Sequence, residues 1–100
     1  MNDYLLLMHD DAPAGAGDRS PEAWGAYIQK LRAAGVFEGG SEIGTGVTVS
    51  KGGVPRAVTR SISGFIRVHA ESMERARALV EGNPLYEAGG TIEIRELPKS

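Results

Sequence analysis

At 100 residues, with 41% hydrophobic and 24% charged side chains, the chain has room for one domain and one modest core, and a single layer of helices on a sheet would leave apolar surface for a second copy to cover. A formal net charge of -2 without a run of Lys or Arg excludes the footprint of a nucleic-acid binder, and the absence of cysteine excludes disulfides, thiolate nucleophiles and cysteine-ligated metals. No apolar stretch approaches the roughly 20 residues that span a bilayer, and the opening residues lack a basic segment and a small-residue cleavage site, so a cytoplasmic protein without a membrane partner is expected.

Tyr4 to Met8 is an unbroken apolar run ending at His9, Asp10 and Asp11, the pattern of a central strand buried on both faces. Ala12 to Arg19, with Pro13, Gly15, Gly17 and Asp18, is a loop by composition. A helix follows, with Ser20 as cap, Pro21 in the first position and Glu22 near the positive end of the dipole; Trp24, Tyr27, Ile28 and Leu31 form its apolar stripe and Gly35 ends it. Val36 to Gly46 predicts a short edge strand interrupted by a bulge or turn. Val47–Ser50 and Val54–Val58 flank Lys51, Gly52 and Gly53, which predicts a protruding hairpin arm with Pro55 on its edge.

Arg60 to His69 alternates Ile62, Gly64, Ile66 and Val68 against Ser61, Ser63, Phe65 and Arg67, giving a strand with one core face and one partly polar face. Ser72 caps a second helix whose buried side is Met73, Ala76, Leu79 and Val80, with Gly82 and Pro84 at its exit. Thr91 to Leu97 is the last strand, with Ile92 and Ile94 on one face and Glu93 and Arg95 on the other.

The order of elements predicts an α+β domain, a ferredoxin-like split β-α-β with a β-hairpin inserted between its halves. Both helices then cover one sheet face. The other carries Phe65 and part of the first strand beside Arg67, Glu93 and Arg95, a mixture too apolar for water, so a homodimer with two such faces in contact is expected.

Tyr-Leu-Leu-Leu-Met at 4–8, Ser20-Pro21-Glu22, Leu31 to Val36, Gly64-Phe65, Ser72 to Ala76, Pro84 and the ending Gly89-Gly90-Thr91-Ile92-Glu93-Ile94-Arg95 together resemble the YCII-related (DGPF-domain) family over nearly the whole chain. The resemblance implies a dimeric α+β barrel and a family whose members mostly lack an established activity. The Asp-Gly-Pro-Phe stretch is absent; the corresponding region reads Arg56-Ala57-Val58-Thr59-Arg60-Ser61, and no role attached to that stretch carries over. Some relatives have a proposed His and Asp pair with the histidine near the first helix, whereas this chain has only His9 and His69, neither on a predicted helix.

His9 is the candidate general base, because an imidazole held by a carboxylate suits proton transfer near neutral pH; Asp11, two residues on, is placed to share its face. Arg67, Glu93 and Arg95 are the candidate anion-binding group, two guanidiniums offering forked hydrogen bonds and Glu93 orienting one of them or acting as a base, with Ser63 and Phe65 lining the same cavity and Tyr86 reaching over its mouth. The same charges fit an ion-pair network across the interface. Trp24 is accounted for by packing. The glycine pairs lack the Lys-Ser/Thr and the strand-to-helix setting of a phosphate loop, and two distant histidines without cysteine offer no metal site, so neither cofactor nor metal is expected. Two functions fit: a small-molecule protein, catalytic or not, whose pocket lies between sheet and partner, and a non-catalytic dimerisation module in which the charges set the register.

Overall fold

The computed structural model describes residues 1–54, 56–59 and 61–99; Pro55 and Arg60, assigned above to the arm and to the start of a strand, lie outside the described residues. The elements run β1 (Asn2–His9), α1 (Pro21–Ala33), β2 (Phe37–Glu42), β3 (Ile62–Ala70), α2 (Met73–Ala78), α3 (Pro84–Glu87) and β4 (Ile92–Leu97). The four strands form one antiparallel sheet in the order β2-β3-β1-β4, which puts β1 in the middle.

Period-two alternation decides which side of β1 is core. Tyr4, Leu6 and Met8 are buried with Ile66 and Val68 of β3, and against them pack Tyr27 and Leu31 of α1, Ala76 of α2, and Val80 and Leu85. Leu6, Leu31 and Val68 are fully enclosed, and each such side chain contributes about 1.5–3 kcal/mol relative to exposure. The Tyr27 hydroxyl donates to the carbonyl of Leu79 at 2.7 Å, joining α1 to the end of α2, and burial pushes its phenol up to about 12. Both long caps form as their sequences require: the Ser20 hydroxyl accepts from the Ala23 amide and the Ser72 hydroxyl from that of Arg75. Gly35, at φ 73°, takes the left-handed turn that ends α1.

Four features differ from the sequence reading. β1 is covered on one face only: Leu5 and Leu7 remain partly exposed, because every helix lies on the Leu6 side. The inserted hairpin does not form. Among the described residues between β2 and β3 there is no strand, only a turn at 51–53 and a bond from the Thr48 hydroxyl to the Arg56 carbonyl. Val47, Val49 and Val54 are 86–90% exposed, and two chains without a third layer to pack on do not sustain a ladder. This projecting segment explains a radius of gyration of 15.0 Å, against about 13 Å for a compact chain of this length. Met73 is exposed rather than part of the buried side of α2. Pro84 opens an extra helical turn, α3, in place of closing α2: Asn83 Oδ1 caps it by accepting from the Leu85 and Tyr86 amides, so Tyr86 stands on α3.

The edge strand β2 has the expected irregularity, its register with β3 shifting between Phe37 and Gly40. Gly40 is required there. A Cβ would lie 2.5 Å from the Phe65 carbonyl oxygen and 3.1 Å from Ile66 Cα.

Candidate functional site

The face of the sheet away from the helices has a regular layout fixed by register. Leu5 lies between Arg67 of β3 and Arg95 of β4, Leu7 between Phe65 and Glu93, and Asp3 between His69 and Leu97. Among the described residues no helix crosses this face. The molecule is 19 Å in its thinnest dimension, the depth of one helix layer about 10 Å across on one sheet.

At one end of the face stands His9, where the β1–β3 register shifts between Met8 and His9. Its Nε2 lies 2.9 Å from Glu93 Oε1, and Glu93 Oε2 in turn accepts from Arg95 at 3.2 Å. The His9 hydrogen bond, followed by that of Arg95, outweighs desolvation and holds the Glu93 carboxyl below the usual carboxylate range, so it is an anion at neutral pH. With Nε2 directed at that anionic acceptor, Nδ1 is the ring nitrogen left over, and among the described residues it has no partner.

The sequence places His9 near Asp10 and Asp11, yet neither carboxylate is hydrogen-bonded to its ring. Asp11 instead accepts from the Thr91 amide at 2.8 Å and its hydroxyl at 2.6 Å, bonds that lower its carboxyl and tie the end of β1 to the start of β4. Asp10 lines a cavity on the other side of the sheet.

At the opposite end is a cluster without a counterpart in the sequence reading. His69 sits between two carboxylates, with Nδ1 2.7 Å from Asp3 Oδ1 and Nε2 bonded to Glu38, while Arg67 donates to Asp3 Oδ2 at 3.2 Å. A carboxylate on each ring nitrogen makes two hydrogen bonds only when the imidazole carries both protons, and neither nitrogen is left for a metal or a substrate. Desolvation raises the Asp3 carboxyl, but the bonds from His69 and Arg67 prevail and lower it. The available signal was period-two alternation, which sets Asp3 on the Leu5 face and His69 on the Arg67 face.

The six expected ligand residues do not share one concavity within a subunit. Arg67, Glu93 and Arg95 stand on the open face. Ser63 and Phe65 line a cavity of about 660 Å³ at the strand ends beside α1, and Tyr86 lines another of about 620 Å³ with Thr91 and Ile92. Among the described residues no group of three or more His, Asp or Glu is arranged to hold a metal ion, and no helix is long and apolar enough to cross a membrane.

An antiparallel sheet covered by helices on one side, with a carboxylate-held histidine on the other, defines a small α+β domain of one helix layer. The chain belongs to the YCII-related domain family, whose model matches residues 3–99. Its fold is similar to that of 5-chloro-2-hydroxyhydroquinone dehydrochlorinase (TftG) from Burkholderia phenoliruptrix AC1100, solved in complex with 2,5-dihydroxybenzoquinone: TM-score 0.52, 16% identity, covering 98% of this chain and 95% of that one. No curated protein matches the chain.

Proposed function

We propose that this YCII-related protein acts as a ferredoxin-like homodimer, a dimeric α+β barrel in which two open sheet faces close on each other and enclose a site for a polar or anionic small molecule, with His9 as the proton-transfer group. The carrying observation is the asymmetry between the two histidines. His69 has both nitrogens bonded to carboxylates. His9 is oriented through Nε2 by the anionic Glu93, with Nδ1 uncommitted, the arrangement a general base needs. Arg67 and Arg95 flank Leu5 on the same face and supply donors for a carboxylate, phosphate or ring oxygen. That the fold neighbour TftG is a dehydrochlorinase, solved with 2,5-dihydroxybenzoquinone, supports a small polar molecule and catalysis as the reading for this face.

A thermal-shift screen of dicarboxylates, phosphates and 2,5-dihydroxybenzoquinone tests it. A ligand of the native state at a hundredfold excess over Kd raises Tm by roughly 10 °C. The shift disappears in the Arg67→Ala/Arg95→Ala double variant and persists in His9→Gln, which loses turnover but not binding. If none of these compounds shifts the wild type, or the double variant responds as the wild type does, the reading fails.

One observation favours a second reading, a dimerisation module without catalysis. Both arginines are already paired within their own subunit, Arg67 with Asp3 and Arg95 with Glu93. On that reading the charges set the register of the two faces, and Arg95→Ala weakens the dimer with no ligand response to lose.

A further inference from the structure

The cavity beside α1 has none of Arg67, Glu93 and Arg95 in its lining and has a definite structural cause. Alternation sends positions 40 and 64 to the helix-covered side, opposite Ile66 and Met8, and both are glycine. Each closely faces neighbouring backbone: a Cβ at Gly64 would stand 3.1 Å from the Ser41 carbonyl oxygen and 3.3 Å from Met8 Cε. Two core-side positions therefore contribute no side chain, and the space between the β2–β3 end of the sheet and α1 stays open. Its walls are Trp24 and Ile28 of α1, Phe37 of β2, and Met8, Ile66 and Leu85. About 660 Å³ falls in the range of roughly 300–1,000 Å³ typical of small-molecule sites, which combine an apolar wall with a few polar groups.

The charged groups on the lining are unequal. Asp10 and Glu42 are solvent-exposed, whereas Arg19, in the loop before the Ser20 cap, is partly buried. Among the described residues no carboxylate lies within ion-pairing distance of Arg19, although two line the same cavity. A partly buried guanidinium beside an aromatic wall, left without a counter-ion, is a donor set for a planar acid. The two exposed carboxylates oppose any further negative charge in the ligand.

We propose that this cavity binds a monoanionic molecule with a flat apolar body, its acid group paired with Arg19 and its body against Trp24, Ile28 and Phe37. Multiply charged anions are disfavoured by Asp10 and Glu42.

Trp24 is the chain's sole tryptophan and so reports directly on occupancy. Titration of the wild type with 2-naphthoate, followed by Trp24 fluorescence and calorimetry, is expected to show saturable binding about tenfold tighter than that of the uncharged 2-naphthalenemethanol. Arg19→Gln removes the preference, Ile28→Trp fills the space and abolishes binding of both compounds by calorimetry, and Arg67→Ala/Arg95→Ala leaves the titration unchanged. Equal affinity of the acid and the alcohol for the wild type overturns the proposal without any variant. So does no binding at millimolar 2-naphthoate, binding that leaves Trp24 fluorescence unaltered, or loss of binding in the open-face double variant.

Discussion

Truncating Leu5 to alanine tests the open face at its centre, since Leu5 stands between Arg67 and Arg95 on the three adjacent strands. The change removes three carbons worth about 0.8 kcal/mol each on full burial, roughly 2.4 kcal/mol in all. Most of that side chain is already covered by its own subunit, so about a third of the sum, roughly 0.8 kcal/mol, is left for a second copy to add. A twofold interface counts the loss twice, giving about 1.6 kcal/mol and a Kd about 15-fold weaker. Sedimentation equilibrium of wild type and Leu5→Ala, under conditions where circular dichroism shows both folded, reads this ratio. An unchanged Kd, or a wild type that stays monomeric at all accessible concentrations, refutes the reasoning.

The glycines give a paired prediction from backbone space alone: Gly40→Ala, whose Cβ meets the Phe65 carbonyl oxygen at 2.5 Å, destabilises by about 1–3 kcal/mol in urea denaturation, while Gly25→Ala, on α1 with nothing within 4 Å, stabilises by about 0.5–1 kcal/mol. If both changes have the same sign, the β2–β3 register is wrong. Asp3, Asp11, Asp18 and Glu93 all have carboxyls held below their usual range, so the stability they confer is full above the ordinary carboxylate value near 4 and is lost as pH falls through the depressed values. Thermal midpoints should therefore drop as the pH falls below about 4, and Asp3→Asn should flatten part of that fall while lowering stability at pH 7. Removing the Asp11 clasp by Asp11→Ala should speed amide exchange at Thr91 and His9, the residues that join the ends of β1 and β4, and leave that of Leu6 unchanged.

Local pattern carried much of the fold. The caps at Ser20 and Ser72, the turn at Gly35 and the alternation in β3 and β4 are effects of a few adjacent residues, and each formed where its chemistry requires. What failed depended on what lies above or beside a segment. A run such as Leu5-Leu6-Leu7 does not indicate which of its faces has a cover, and the valine-rich arm has β propensity but no layer to pack against. Pro84 is equally at home after one helix or at the first position of another, and the Asn83 cap decided the matter.

The site was legible as residue types on a face but not as pairs. Arg67, Glu93 and Arg95 follow from alternation, whereas the partner of His9 is 84 residues away and is chosen by the β1–β4 register. The same holds for the Asp3–His69–Glu38 cluster, assembled from three strands.

The state of the open face in solution can be read from the methyl groups of Leu5 and Leu7 with a soluble paramagnetic agent across a dilution series. Both methyl pairs are expected to be shielded at high protein concentration and exposed on dilution, with those of Val47 and Val49 exposed throughout. Leu5 and Leu7 methyls equally accessible at every concentration would contradict it.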